Sequence, residues 1–155
     1  MDDKIIVLVN SIRRDLEAIA AIYEALENHP LGTDTPEDTL IVVAYYLHNL
    51  YNVFENIFQN IAAVFENSVD DVERWHSRLL ERMRLNLMPL RPAVIDDAAY
   101  DALDELRRFR HLFRHAYAIR LDPQRLKLVV DKALALKAIY AEQLGQFVDF
   151  LQKLT

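Results

Sequence analysis

Apolar residues recur at three- and four-residue steps along most of the chain, the spacing of an amphipathic helix. In the first stretch Ile5, Leu8, Val9, Ile12, Leu16, Ile19, Ile22, Tyr23 and Leu26 keep this step, which predicts a helix over about residues 3–27. Asn28, His29, Pro30 and Gly32 then break it. A second helix is predicted from Thr35 and Pro36, with Thr35 as the cap and Pro36 in the first helical position, to about residue 67. It is rich in aromatic residues: Tyr45, Tyr46, Tyr51, Phe54, Phe58 and Phe65. A third is predicted from Ser68, where Ser68-Val69-Asp70-Asp71 resembles a capping box with Asp in place of Glu, to about Leu87. Pro89 and Pro92 make the following segment a short non-helical connector. A fourth helix is expected over about 96–119, and a fifth, capped by Asp122 and begun by Pro123, over about 123–153.

Long helices joined by short loops, without a fixed internal period, predict an all-α antiparallel bundle of about five helices. The 155 residues are expected to form a single domain, 1–155, large enough to bury roughly two thirds of its unfolded surface. The apolar and aromatic surface of the second helix exceeds what one copy easily hides, so a homodimer is expected.

Composition narrows the function classes. Two glycines in the whole chain, against an average usage of about 7%, disfavour sheets, phosphate-cradling loops and dinucleotide fingerprints. No cysteine is present, which excludes disulfides, thiolate metal sites and cysteine nucleophiles and suits a reducing cytoplasm. The acidic start and the short apolar run 5–9 predict no signal peptide. The apolar segment 40–65 is interrupted by His48, Asn49, Asn52, Glu55, Asn56, Gln59 and Asn60, so no membrane span is expected.

The formal net charge is −6, but segment 105–120 carries Arg107, Arg108, Arg110, Arg114 and Arg120 against one acid, Glu105. A local basic patch on an acidic chain changes the picture more than the net charge does. On a helix, Phe109, Leu112, Phe113 and Ala116 fall on one face, expected to pack inward, while Arg107, Arg110, His111, Arg114, His115 and Tyr117 spread over the rest. Arg110 and His115 are about 140° and ~7.5 Å of rise apart on a regular helix, poor direct neighbours that can still flank one substrate.

This set suits RNA cleavage without a metal. The RNA 2′-hydroxyl attacks phosphorus, a histidine near its neutral-pH titration serves as base or acid, and arginine stabilises the charge growing on the phosphorus oxygens. Tyr117 can stack on a base or donate to phosphate. Competing readings exist for each group. An Arg-rich face can be solvated surface, and an acidic start with a basic end also complements the helix dipole. His111 and His115, four apart, have a metal-clasping spacing, but no carboxylate on that face completes a site. Trp75, beside His76 and Arg74, reads as core or interface rather than as a base-stacking platform. His48 reads as structural, within hydrogen-bonding reach of Asn52 one turn on.

Residues 110–117, Arg-His-Leu-Phe-Arg-His-Ala-Tyr, resemble the Arg-x4-His-x-Tyr motif of the HEPN superfamily in its HepT-like branch. The resemblance implies a small helical bundle that dimerises and brings two motifs into one cleft. It implies a metal-independent endoribonuclease toxin with no cofactor. Arg110 would be the phosphate-binding arginine, His115 the catalytic histidine, His111 and Arg114 accessory RNA-binding residues, and Tyr117 the site adenylylated by a minimal nucleotidyltransferase antitoxin. The alternative it leaves open is a catalytically inactive helical module that docks a nucleotide, RNA or a partner protein.

Overall fold

The computed structural model describes residues 2–66, 75–115 and 120–155. Six helices and no strand occur among them: α1 (Asp2–Glu27), α2 (Glu37–Phe65), α3 (Trp75–Met83), α4 (Asp97–Arg114), α5 (Pro123–Lys137) and α6 (Tyr140–Gln152). Among the described residues no helix is long and apolar enough to cross a membrane. The fold is an all-α helical bundle.

α2 is the central element and packs against α1, α3, α4 and α5. Its wide apolar stripe explains this. Leu40, Val43, Ala44, Leu47, Leu50, Tyr51, Phe54, Ile57, Phe58 and Ile61 are all buried, at steps of three and four. α4 presents Ala99, Ala102, Leu103, Leu106 and Phe109 to the core. Asp96 caps α4 by accepting from the Ala99 amide, and Asp122 caps α5 by accepting from the Gln124 amide.

Four expectations are corrected. Thr35 does not cap α2: its hydroxyl oxygen accepts from the Gly32 amide at 2.6 Å and its proton goes to the Gly32 carbonyl, closing the preceding turn. Pro36 takes the cap position instead of the first helical one, without a side-chain cap bond. α3 ends at Met83, four residues early, and its proposed start at Ser68 lies outside the described residues. The early end has a local cause. Fully buried Arg91 donates to the carbonyls of Arg82 and Leu85, and the Val94 amide to that of Met83, so the connector supplies donors that a further helical turn would have supplied.

The predicted fifth helix is two, broken at Ala138 and Ile139. Its buried stripe nonetheless runs on through Leu126, Val129, Ala133, Leu136, Tyr140, Leu144, Phe147 and Leu151. At the break Tyr140 stacks on Tyr23 at 5.5 Å and meets Phe54 edge-on, while the Tyr23 hydroxyl donates to the Ala133 carbonyl at 2.7 Å. Tertiary packing of aromatic rings, not a helix-breaking residue, accompanies the interruption.

Candidate ribonucleic acid site on the fourth helix

The core face of α4 fixes where its basic residues fall. With Leu106 and Phe109 buried, Arg110 sits one step round the helix, half-buried on the seam with α2. There its Nε donates to the Oδ1 of Asn52 on α2. The Asn52 amide nitrogen lies 3.2 Å from His48 Nε2, one turn back along α2. The His48 ring packs at 5.6 Å against that of Phe113. Burial, and then the nearby positive charges of Arg110 and Arg114, hold His48 below the ordinary imidazole range, favouring its neutral form.

The remaining basic residues divide into two groups. Arg107 and Arg108 both reach Asp104, at 2.8 and 2.9 Å, so one carboxylate engages both guanidiniums and offsets part of the charge in the upstream half of the patch. Asp104 lies just before the segment whose charge drew attention to the patch. Among the described residues no carboxylate pairs with Arg110, Arg114 or Arg120. The free positive charge therefore gathers at the last turn of α4, where the helix dipole also favours cations.

His111 and His115 are exposed, with ring centroids 4.5 Å apart. His115 is the C-cap, its own amide shared between the carbonyls of His111 and Leu112. Among the described residues no third His, Asp or Glu joins this pair in a metal-sized group. Arg114 is exposed beside them, and Tyr117 lies outside the described residues, as does Ala116. The expected inward face is corrected in one position: Phe109 is buried and Phe113 half-buried, but Leu112 is 44% exposed. The stripe follows 99, 102, 103, 106 and 109, which places 113 and not 112 over the core. Surface cavities of about 460, 400 and 310 Å³ are lined by other residues and include none of Arg110, His111, Arg114 and His115.

Residue-by-residue reading of α4 missed its partners on α2. The signal was present: His48 and Asn52 are polar and four apart, so they share one face of α2. The expected bond between them is there, but the step on to Arg110 depends on how α2 and α4 pack. Farther along the same α2 stripe, buried Glu55 accepts from His76 Nδ1 at 2.7 Å. Burial, and then the Glu55 charge, push the Tyr51 hydroxyl well above its ordinary range. Trp75, half-buried against the core, lies over the His76 ring at 3.9 Å.

Comparison with curated proteins and with solved structures gives no significant match. Comparison with protein families matches residues 42–151 to the family described as HepT-like protein. That span covers most of α2, all of α3 to α5, nearly all of α6 and the whole Arg110–Tyr117 motif, so the chain belongs to the HepT-like family of the HEPN superfamily.

Proposed function

We propose that this protein is a metal-independent endoribonuclease of the HepT-like toxin type, working as a homodimer with Arg110 and His115 of both copies at one cleft. The observation that carries the reading is the state of Arg110. Its Nε is fixed by Asn52, no carboxylate among the described residues occupies it, and its Nη hydrogens are left for a phosphate. A guanidinium held this way is preorganised for charge that develops during the reaction.

The chemistry follows from the groups at hand. His115 of one copy takes the proton of the RNA 2′-hydroxyl as that oxygen attacks the adjacent phosphorus. The bond from phosphorus to the 5′-oxygen breaks, and the partner copy's protonated imidazole gives that oxygen its proton. The products are a 2′,3′-cyclic phosphate and a 5′-hydroxyl. Arg110 stabilises the phosphorane oxygens, Arg114 and His111 hold the flanking backbone, and Tyr117 contacts RNA and is the residue an antitoxin nucleotidyltransferase would adenylylate.

Exposed apolar residues support the dimer. Ile41 and Tyr45, 49% and 54% exposed, share a helical stripe with His48 and Asn52, and exposed Leu112 adjoins His111. An apolar strip of this kind leading to an open basic site fits burial against a second copy.

The test is cleavage of RNA by the purified protein in EDTA, beside His115→Ala and Arg110→Ala. Each substitution is expected to lower the rate by about 100-fold or more. Variants that both cut as fast as the parent would refute the assigned roles. No turnover by the parent, with RNA binding that weakens as salt rises, would instead favour the inactive docking module.

A further inference from the structure

Guanidinium has only donors, so the Asn52 atom facing Arg110 must be its carbonyl oxygen. This fixes the other end of the amide. The Asn52 NH2 group then faces His48 Nε2 at 3.2 Å, and a donor there requires a lone pair on that nitrogen. His48 must accordingly be neutral with its proton on Nδ1. Nδ1 is buried and meets no acceptor among the described residues, so nothing on that side competes for the ring's orientation. The ring is held instead by Phe113 of α4, and the charged groups of α4 that face it, Arg110 and Arg114, both oppose a second proton.

We propose that His48, acting through Asn52, is a positioning residue for Arg110: its Nε2 lone pair holds the Asn52 amide in the one orientation that grips Arg110 Nε and aims the Nη groups at substrate phosphate. The role in cleavage rests on the ribonuclease reading; the hydrogen-bond relay does not. A protonated or absent imidazole frees the amide to turn, which would set NH2 against the guanidinium and release it. His48 never touches the substrate in this account.

Three variants separate positioning from packing. His48→Phe keeps a ring on Phe113 but has no acceptor. His48→Gln restores an acceptor through its amide oxygen. Asn52→Ala removes the relay. In the EDTA assay His48→Phe and Asn52→Ala should lower kcat at least about tenfold with little change in KM, since an arginine aimed at developing charge acts in the transition state. His48→Gln should recover most of that loss, at an unchanged thermal midpoint.

A second readout does not need activity. The Arg110 Nε–H resonance, assigned by its absence in Arg110→Lys, should be protected from solvent exchange in the parent and in His48→Gln. In His48→Phe and Asn52→Ala it should exchange rapidly. Protection that survives in His48→Phe overturns the relay, whether or not the protein cuts RNA. A parent that cuts no RNA but loses this protection in His48→Phe would sink the ribonuclease reading and leave the relay standing. Equal cleavage by parent, His48→Phe and His48→Gln would remove His48 from the reaction.

Discussion

Replacing Glu66 with alanine isolates a buried ion pair of the fold. Arg91 is fully buried, and its Nη2 lies 3.0 Å from Glu66 Oε1, itself on a side chain only 2% exposed. The guanidinium also donates to the carbonyls of Leu85, Arg82 and Pro92, so its hydrogen bonds would largely survive the substitution while its counter-charge would not. A buried cation left without its partner costs about 3–5 kcal/mol. Arg82, the second partner of Glu66 at 3.0 Å, is 37% exposed and turns to water, which adds little. For a chain of this length the loss corresponds to a midpoint lowered by roughly 6–20 °C. Thermal and urea unfolding followed by circular dichroism measure it directly. Adding Arg91→Met should give less than the sum of the two single losses, because the stranded charge is gone, although three carbonyls then lose a donor. A Glu66→Ala protein within about 0.5 kcal/mol of the parent, the behaviour of an ordinary surface change, would refute the reasoning.

The cap that forms and the one that does not should respond differently. Asp122→Ala removes a formed cap on α5 and should cost about 1 kcal/mol in urea unfolding, whereas Thr35→Ala, which loses two exposed turn bonds to Gly32 and no helix cap, should stay within about 0.5 kcal/mol. Tyr23→Phe keeps the stack on Tyr140 but removes the hydroxyl's bond to the Ala133 carbonyl, and should lower stability by about 1 kcal/mol without changing helix content. Burial first, then Arg110 and Arg114, hold His48 below the ordinary 6.5. As pH falls through that value the unfolded chain takes up a proton that the folded chain refuses, so stability declines there. His48→Gln should flatten the decline between neutral and mildly acidic pH, and an unchanged slope in the urea midpoint would contradict it.

Periodicity made most of this fold legible. The stripes of α1, α2 and α4 are read from apolar spacing, because each helix buries one face, with Leu112 the one apolar position of α4 misplaced at the end of the stripe. The break between α5 and α6 was not legible for the same reason: the buried stripe passes unbroken from Leu136 to Tyr140, with no glycine or proline between them, and the ring contacts of Tyr140 are tertiary. Arg91 lies in the connector without a reading from sequence, and its acceptors on three separate carbonyls and Glu66 explain its burial. At the site, the basic turn of α4 was visible as composition, yet the pairing of Arg107 and Arg108 with Asp104 reduced it to a smaller free patch. The grip of Asn52 on Arg110 links residues 58 apart in sequence and needed the packing of α2 on α4.

The central claim is that RNA is cut by its own 2′-hydroxyl, with Arg110 and His115 assisting and no metal required. An oligonucleotide cleaved in EDTA, compared with the same strand carrying one 2′-deoxy sugar at the scission point, addresses it in one measurement. A 2′,3′-cyclic phosphate from the first strand and an intact second strand are the predicted result. Scission of the deoxy strand at an equal rate would contradict the account.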